Sequence, residues 1–253
     1  MFIRTESFRD FLQFYPVVST IIAIQIGLWL VGFIIPPLGD WINAYGVGWN
    51  LLITEGEYWR LVTPIFLHAG FGHILFNSFS LVLFAPGLEQ MLGKIKFLFA
   101  YFFAGIAANI LTVIVEPNPM YMHVGASGAI FGLFGLYLFI IFFEKHLINP
   151  QDAKLILIIA VIGLVMTFLR ANINIAGHLF GFIAGFALGP LILRNVQPFS
   201  PWRNKRKARG NGEIGFDPNR WNKKRYRLKP YIKPILFTII GILVIIGLLS
   251  SLF

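Results

Sequence analysis

Apolar residues fall along this chain in long blocks, not in the alternation of strands or the one-sided stripe of a surface helix. Crossing ~30 Å of hydrocarbon takes about 17–25 residues at 1.5 Å each. Seven stretches qualify: 17–35, 73–91, 97–115, 127–143, 155–170, 174–193 and 234–253. The second holds Asn77, Ser78, Ser80, Pro86 and Glu89, and the fifth is short. Polar side chains inside a span are costly and usually turn inward, often for function. The pattern predicts an all-α polytopic membrane helix bundle. Its parts are an N-terminal segment (1–16), six spans (17–193), a polar linker (194–233) and a seventh C-terminal transmembrane helix (234–253). No internal repeat of the inverted-transporter kind is present.

Composition agrees. Of 253 residues, 57% are hydrophobic and only 13% are charged, about half the share in soluble domains. That excludes a soluble globular enzyme, a disordered chain and a disulfide-stapled secreted domain. The absence of cysteine excludes disulfides, iron–sulfur clusters, cysteine nucleophiles and thiolate zinc sites.

Charge sets the orientation. With the N-terminus in the cytoplasm and the spans alternating, nineteen of the 21 Lys and Arg residues fall inside, and only Arg60 and Arg170 fall outside. Thirteen of the nineteen lie between Arg194 and Lys233. This basic linker reads as a solvated tether with interfacial aromatics, with specific binding to anionic lipid headgroups as the alternative. No nucleic-acid motif accompanies the charge. The first span follows two basic residues and precedes no small-residue cleavage site, so it reads as a retained helix. Residues 36–72 form a long outer loop with Trp41, Trp49 and Trp59, of a length that is usually functional or partly inserted.

On this topology the second, fourth and sixth spans run in one direction, from outside to inside. His73 opens the second, with Asn77 four residues later on the same helical face. Ser127 opens the fourth within Gly125-Ala126-Ser127-Gly128, and His178 sits one turn into the sixth. All lie within ~10 Å of the outer surface by helix rise. Gly177, Gly181, Gly185 and Gly189 form a four-residue ridge on the sixth span, and Gly128 and Gly132 form one on the fourth. Such ridges let membrane helices approach closely. If the two face each other, His178 reaches Ser127.

A serine hydroxyl becomes a nucleophile when a base within ~3 Å takes its proton. Neutral His178 can do so, and with no acidic residue in the sixth span to orient it, a Ser–His dyad is expected in place of a triad. His73, Asn77 and the backbone N–H of Ser127 are candidate donors for an oxyanion hole. Gly125 and Gly128 let the backbone turn and approach a substrate.

Together, Trp59-Arg60, His68-x4-His73-x3-Asn77, Gly125-x-Ser127-Gly128 and His178-x2-Gly181-x3-Gly185 resemble the rhomboid intramembrane serine proteases in order and spacing. The resemblance covers 17–193 and implies a six-helix rhomboid-like core to which the seventh helix is added. It implies Ser127 as nucleophile, His178 as general base, and His73, Asn77 and the Ser127 backbone as oxyanion hole. It places Trp59-Arg60 in a partly inserted outer loop, makes Glu89 a structural polar residue, puts His68 near the water path and packs Phe131 against the catalytic histidine.

The expected function is hydrolysis of a peptide bond in, or just above, a transmembrane segment of another membrane protein. The expected setting is a multi-pass cell-membrane protein whose site opens to the extracytoplasmic side. Helix-destabilising residues near the cut are expected in the substrate, and the resemblance adds a small side chain before it. No metal or cofactor is implied. The alternative is a catalytically silent relative that binds membrane helices.

Overall fold

The computed structural model describes residues 6–170, 173–200 and 203. The seventh span and most of the basic linker lie outside the described residues. The chain divides into two units, and the elements named here all belong to the first, Met1–Phe199.

The elements are α1 (Phe8–Phe14), α2 (Pro16–Ile34), α3 (Pro36–Gly46), β1 (Gly48–Trp49), α4 (Asn50–Thr54), α5 (Phe71–Leu92), α6 (Lys94–Val115), β2 (Met122–His123), α7 (Ser127–Phe143), α8 (Pro150–Leu169) and α9 (Ile175–Ile192). Among the described residues, α2, α5, α6, α8 and α9 are long and apolar enough to cross a bilayer, and α7 is a shorter apolar helix. The chain is an all-α polytopic membrane bundle; the two short strands among its described residues only pin one loop to another.

Helix starts follow local chemistry. Prolines occupy the first turns of α2, α3 and α8, where the missing N–H costs nothing. Asn149 caps α8, its side chain accepting from the Asp152 amide. This polar first turn is why α8 begins at 150, ahead of the apolar block at 155. The start of α2 has no side-chain cap of its own. Glu89 of α5 supplies one from a neighbouring helix, its carboxylate oxygens accepting from the Val17 and Val18 amides at 3.0 and 2.9 Å.

The core lies around α7, which is apolar on every side and packs against α6 and α9. On the α9 side the contact is backbone to backbone. A Cβ on Gly128 would stand 3.4 Å from the Gly177 carbonyl, and one on Gly132 would stand 3.2 Å from that of Gly181. In return, side chains at Gly181 and Gly185 would collide with the carbonyls of Gly128 and Gly132. The two glycine ridges face each other.

The outer loop has more structure than its sequence suggests. The last carbonyls of a helix lack intrahelical partners, and those of α3 are taken by side chains well over ten residues away. Arg60, 2% exposed, donates to the carbonyls of Ala44 (2.8 Å) and Val47 (2.9 Å) and to the Glu57 carboxylate (2.6 Å). The Trp59 indole donates to Tyr45, and the Thr63 hydroxyl donates to Gly46. A guanidinium at this end also suits the helix dipole.

The stretch from Leu61 to Ile65 is held in turn from three directions. Asn109 of α6 donates to the Leu61 carbonyl at 2.9 Å. Gly125 N–H donates to Pro64 at 2.9 Å. Gln25 of α2, fully buried, donates to Ile65 and to the Tyr101 hydroxyl, each at 3.2 Å.

Candidate active site

Ser127 is the first residue of α7 and half-buried. The turn that delivers it depends on Gly125, whose φ of +125° lies in the left-handed region that disfavours a side chain. A Cβ there would also stand 2.6 Å from His73 Nε2 and 3.7 Å from Ser127 Oγ. The missing side chain of Gly125 is thus the space around which the His73 imidazole and the Ser127 hydroxyl converge.

Asn77 is buried one turn below His73, and its amide donates to the His73 carbonyl at 3.0 Å. One N–H of that amide is left for another acceptor. His68, ahead of α5, sets its ring 5.0 Å from that of His73 in an edge-on arrangement. Burial, with His73 beside it, lowers the His68 pKa to about 3, so this imidazole is neutral at physiological pH.

Asn174 positions His178. Its side chain accepts from the Gly177 amide at 2.7 Å, capping α9, and pairs with the Thr112 hydroxyl of α6. His178 then lies one turn in, beside the glycine seam. Phe131, one turn after Ser127, stacks on the His178 ring with centroids 4.3 Å apart. Among the described hydrogen bonds, His178 pairs through Nδ1 with the Thr167 hydroxyl at 2.8 Å, and none joins it to Ser127. Ser127 and His178 stand on adjoining helices, α7 and α9, whose close approach the glycines permit.

Sequence reasoning missed Thr167 and Gly163. Thr167 is the only uncharged polar side chain between 155 and 170. The rule that polar groups in a span turn inward applies to it as it does to Asn77. In α8 it is 1% exposed. Gly163, one turn earlier, leaves room for Phe131, whose Cζ a Cβ there would approach to 3.2 Å.

Comparison with known proteins gives this arrangement its family. The rhomboid domain matches residues 55–195, from the outer loop to the end of α9. Over 199 residues the chain is 50% identical to YdcA, a rhomboid-family protein of Bacillus subtilis (strain 168), covering 78% of this chain and 98% of YdcA. It is 38% identical over 143 residues to the rhomboid protease GluP of the same organism, covering 56% of this chain and 28% of GluP. A third relative, rhomboid-like protease 1 of Toxoplasma gondii, is 30% identical over 170 residues, covering 66% of this chain and 58% of that protein. With a family match over more than half of its length, this multi-pass membrane protein belongs to the rhomboid family of serine proteases.

Proposed function

We propose that the chain is an intramembrane endopeptidase that cuts transmembrane segments of other membrane proteins near the outer membrane face, through Ser127 and His178. The observation that carries this reading is the seam between α7 and α9, where facing glycines set Ser127 and His178 on adjoining backbones. His178 accepts the Ser127 proton as Oγ attacks the scissile carbonyl, and returns it to the leaving amine. The Ser127 amide at the start of α7, the His73 imidazole and the second N–H of Asn77 face the developing oxyanion. Water then resolves the acyl-enzyme. Gly125, Gly128, Phe131 and His68 support the site without entering the chemistry.

The depth of the cut follows from helix length. α7 has 17 residues and spans about 25 Å at 1.5 Å per residue, short of ~30 Å of hydrocarbon. With the other end set at the inner surface by Glu144 and Lys145 directly after Phe143, a nucleophile at its first residue stands below the outer one. The lysine and arginine count puts that end outside and the N-terminus in the cytoplasm. The same count makes the 194–233 linker a contact for anionic lipid headgroups, and leaves docking or stability to the seventh helix.

The test is cleavage of a model single-span substrate in liposomes by wild type, Ser127→Ala and His178→Ala, beside labelling with a fluorophosphonate probe. Both variants are expected to lose at least about 10³-fold in rate, and Ser127→Ala is expected to lose the label. A wild-type protein that cuts no substrate in a varied panel and carries no label on Ser127 would replace this reading with that of a membrane-helix binder.

A further inference from the structure

The His178 ring has a second anchoring point that the dyad does not use. Thr167 Oγ1 lies 2.8 Å from His178 Nδ1, and Thr167 is 1% exposed, so solvent does not compete for the contact. A threonine hydroxyl has one proton and two lone pairs. The Gly163 carbonyl, one turn back in α8, lies 2.9 Å from that oxygen and can only accept. A hydroxyl that serves both partners therefore donates to Gly163 and accepts from Nδ1, and the proton between oxygen and ring is then the imidazole's.

We propose that Thr167 is a positioning residue that holds His178 in its Nδ1–H tautomer, leaving Nε2 unprotonated for the Ser127 hydroxyl. The inference rests on the Ser127–His178 reading above and deepens it. A neutral imidazole accepts through one nitrogen only, so the other tautomer would present an N–H to Ser127 and could not take its proton. A carboxylate would hold the tautomer more strongly, but an ionised group inside a membrane helix is expensive. A hydroxyl fixes the proton without adding charge.

A threonine bonded to the carbonyl four residues earlier is common in apolar helices. The second partner is what separates this one. The same turn of α8 serves the ring twice: Gly163 supplies the carbonyl that orients the hydroxyl, and its missing side chain admits Phe131. His178 is thus held at its edge by α8 and on its face by α7.

The experiment compares Thr167→Val, which keeps the shape and removes the hydroxyl, with Thr167→Ser, which keeps the hydroxyl. It uses the full chain in liposomes, with thermal unfolding as the check on folding. Thr167→Val is expected to lose about tenfold in kcat, roughly the contribution of one hydrogen bond, with KM within about twofold. Thr167→Ser is expected to recover most of that loss. Nitrogen-15 NMR of histidine-labelled wild type, with the His178 signals identified by their absence in His178→Ala, is expected to show Nδ1 protonated and Nε2 bare. A wild-type kcat in Thr167→Val would overturn the proposal. So would a folded Thr167→Ser as slow as Thr167→Val, or an Nε2–H tautomer in wild type. Should Thr167→Val not fold, the wild-type spectrum decides. An active His178→Ala would sink the dyad itself, whereas an inactive one beside an unimpaired Thr167→Val removes only the role of Thr167.

Discussion

Phe131 and His178 lie face to face, their ring planes differing by 21° and their centroids 4.3 Å apart. Phe131 is 6% exposed and rests on α8 at Gly163. The imidazole therefore turns against a fixed aromatic surface that offers it no polar partner. Phe131→Leu keeps much of the volume and removes that surface, and aromatic pairs contribute about 0.5–1.5 kcal/mol. The expected result is a kcat lower by about three- to tenfold with little change in the unfolding temperature. Steady-state cleavage beside thermal unfolding separates the two effects, and a loss of stability without loss of kcat would reduce Phe131 to packing alone.

The glycine seam makes a sharper prediction about stability. A methyl group at Gly185 would press into the Gly132 carbonyl, and one at Gly181 into that of Gly128. Neither backbone can give way as a flexible side chain would. Gly185→Ala is expected to destabilise by at least about 1–3 kcal/mol, read as a lower unfolding temperature in detergent, and to lower cleavage with it. Gly27 of α2, where a Cβ meets nothing within 4 Å among the described residues, is the control. Gly27→Ala is expected to be neutral or slightly stabilising, and equal damage at both positions would remove the seam from the account.

The buried His123 predicts a pH dependence of folding. Its ring nitrogens have no hydrogen-bond partner among the described residues, and burial lowers its pKa to about 4, against ~6.5 in an unfolded chain. Above pH ~6.5 both states are neutral here and stability is at its full value. As pH falls toward 4 the unfolded state takes a proton that the folded state refuses, so stability declines by up to about 3 kcal/mol. Below about 4 this contribution levels off. His123→Phe removes the proton while keeping a ring against Gly48, and unfolding temperatures between pH 7 and pH 4 are expected to fall less steeply than in wild type. Parallel slopes would place the dependence on another group.

The first six spans were legible because hydrocarbon demands length and apolarity, and both are written residue by residue. The candidate residues Ser127, His73 and His178 stood out for a related reason: polar groups are rare in such helices. The structure sets the His73 ring and the Ser127 hydroxyl around Gly125, with His178 on the adjoining helix. The order within 36–70 was not legible. Trp59, Arg60 and Thr63 hold the end of α3 through bonds to carbonyls 13 to 17 residues away. A carbonyl leaves no trace in sequence, since every residue has one. Thr167 escaped for a different reason. Alone in an apolar run it satisfies its hydroxyl within its own helix, and only the arrival of α9 gives that oxygen a second use.

The carbonyls of Leu61, Pro64 and Ile65 are each taken by a different neighbour, and the N–H bonded to Pro64 belongs to the turn that presents Ser127. The position of that turn is thus stitched sideways, across the molecule, more than it is inherited along the chain. Covalent continuity just upstream matters correspondingly little. Gly56, exposed at φ +110° and with none of the described residues within 4 Å of where its side chain would be, marks the place where this protein could be nicked, lengthened or split into two fragments. The same operation five to nine residues later would cut through the stitching itself.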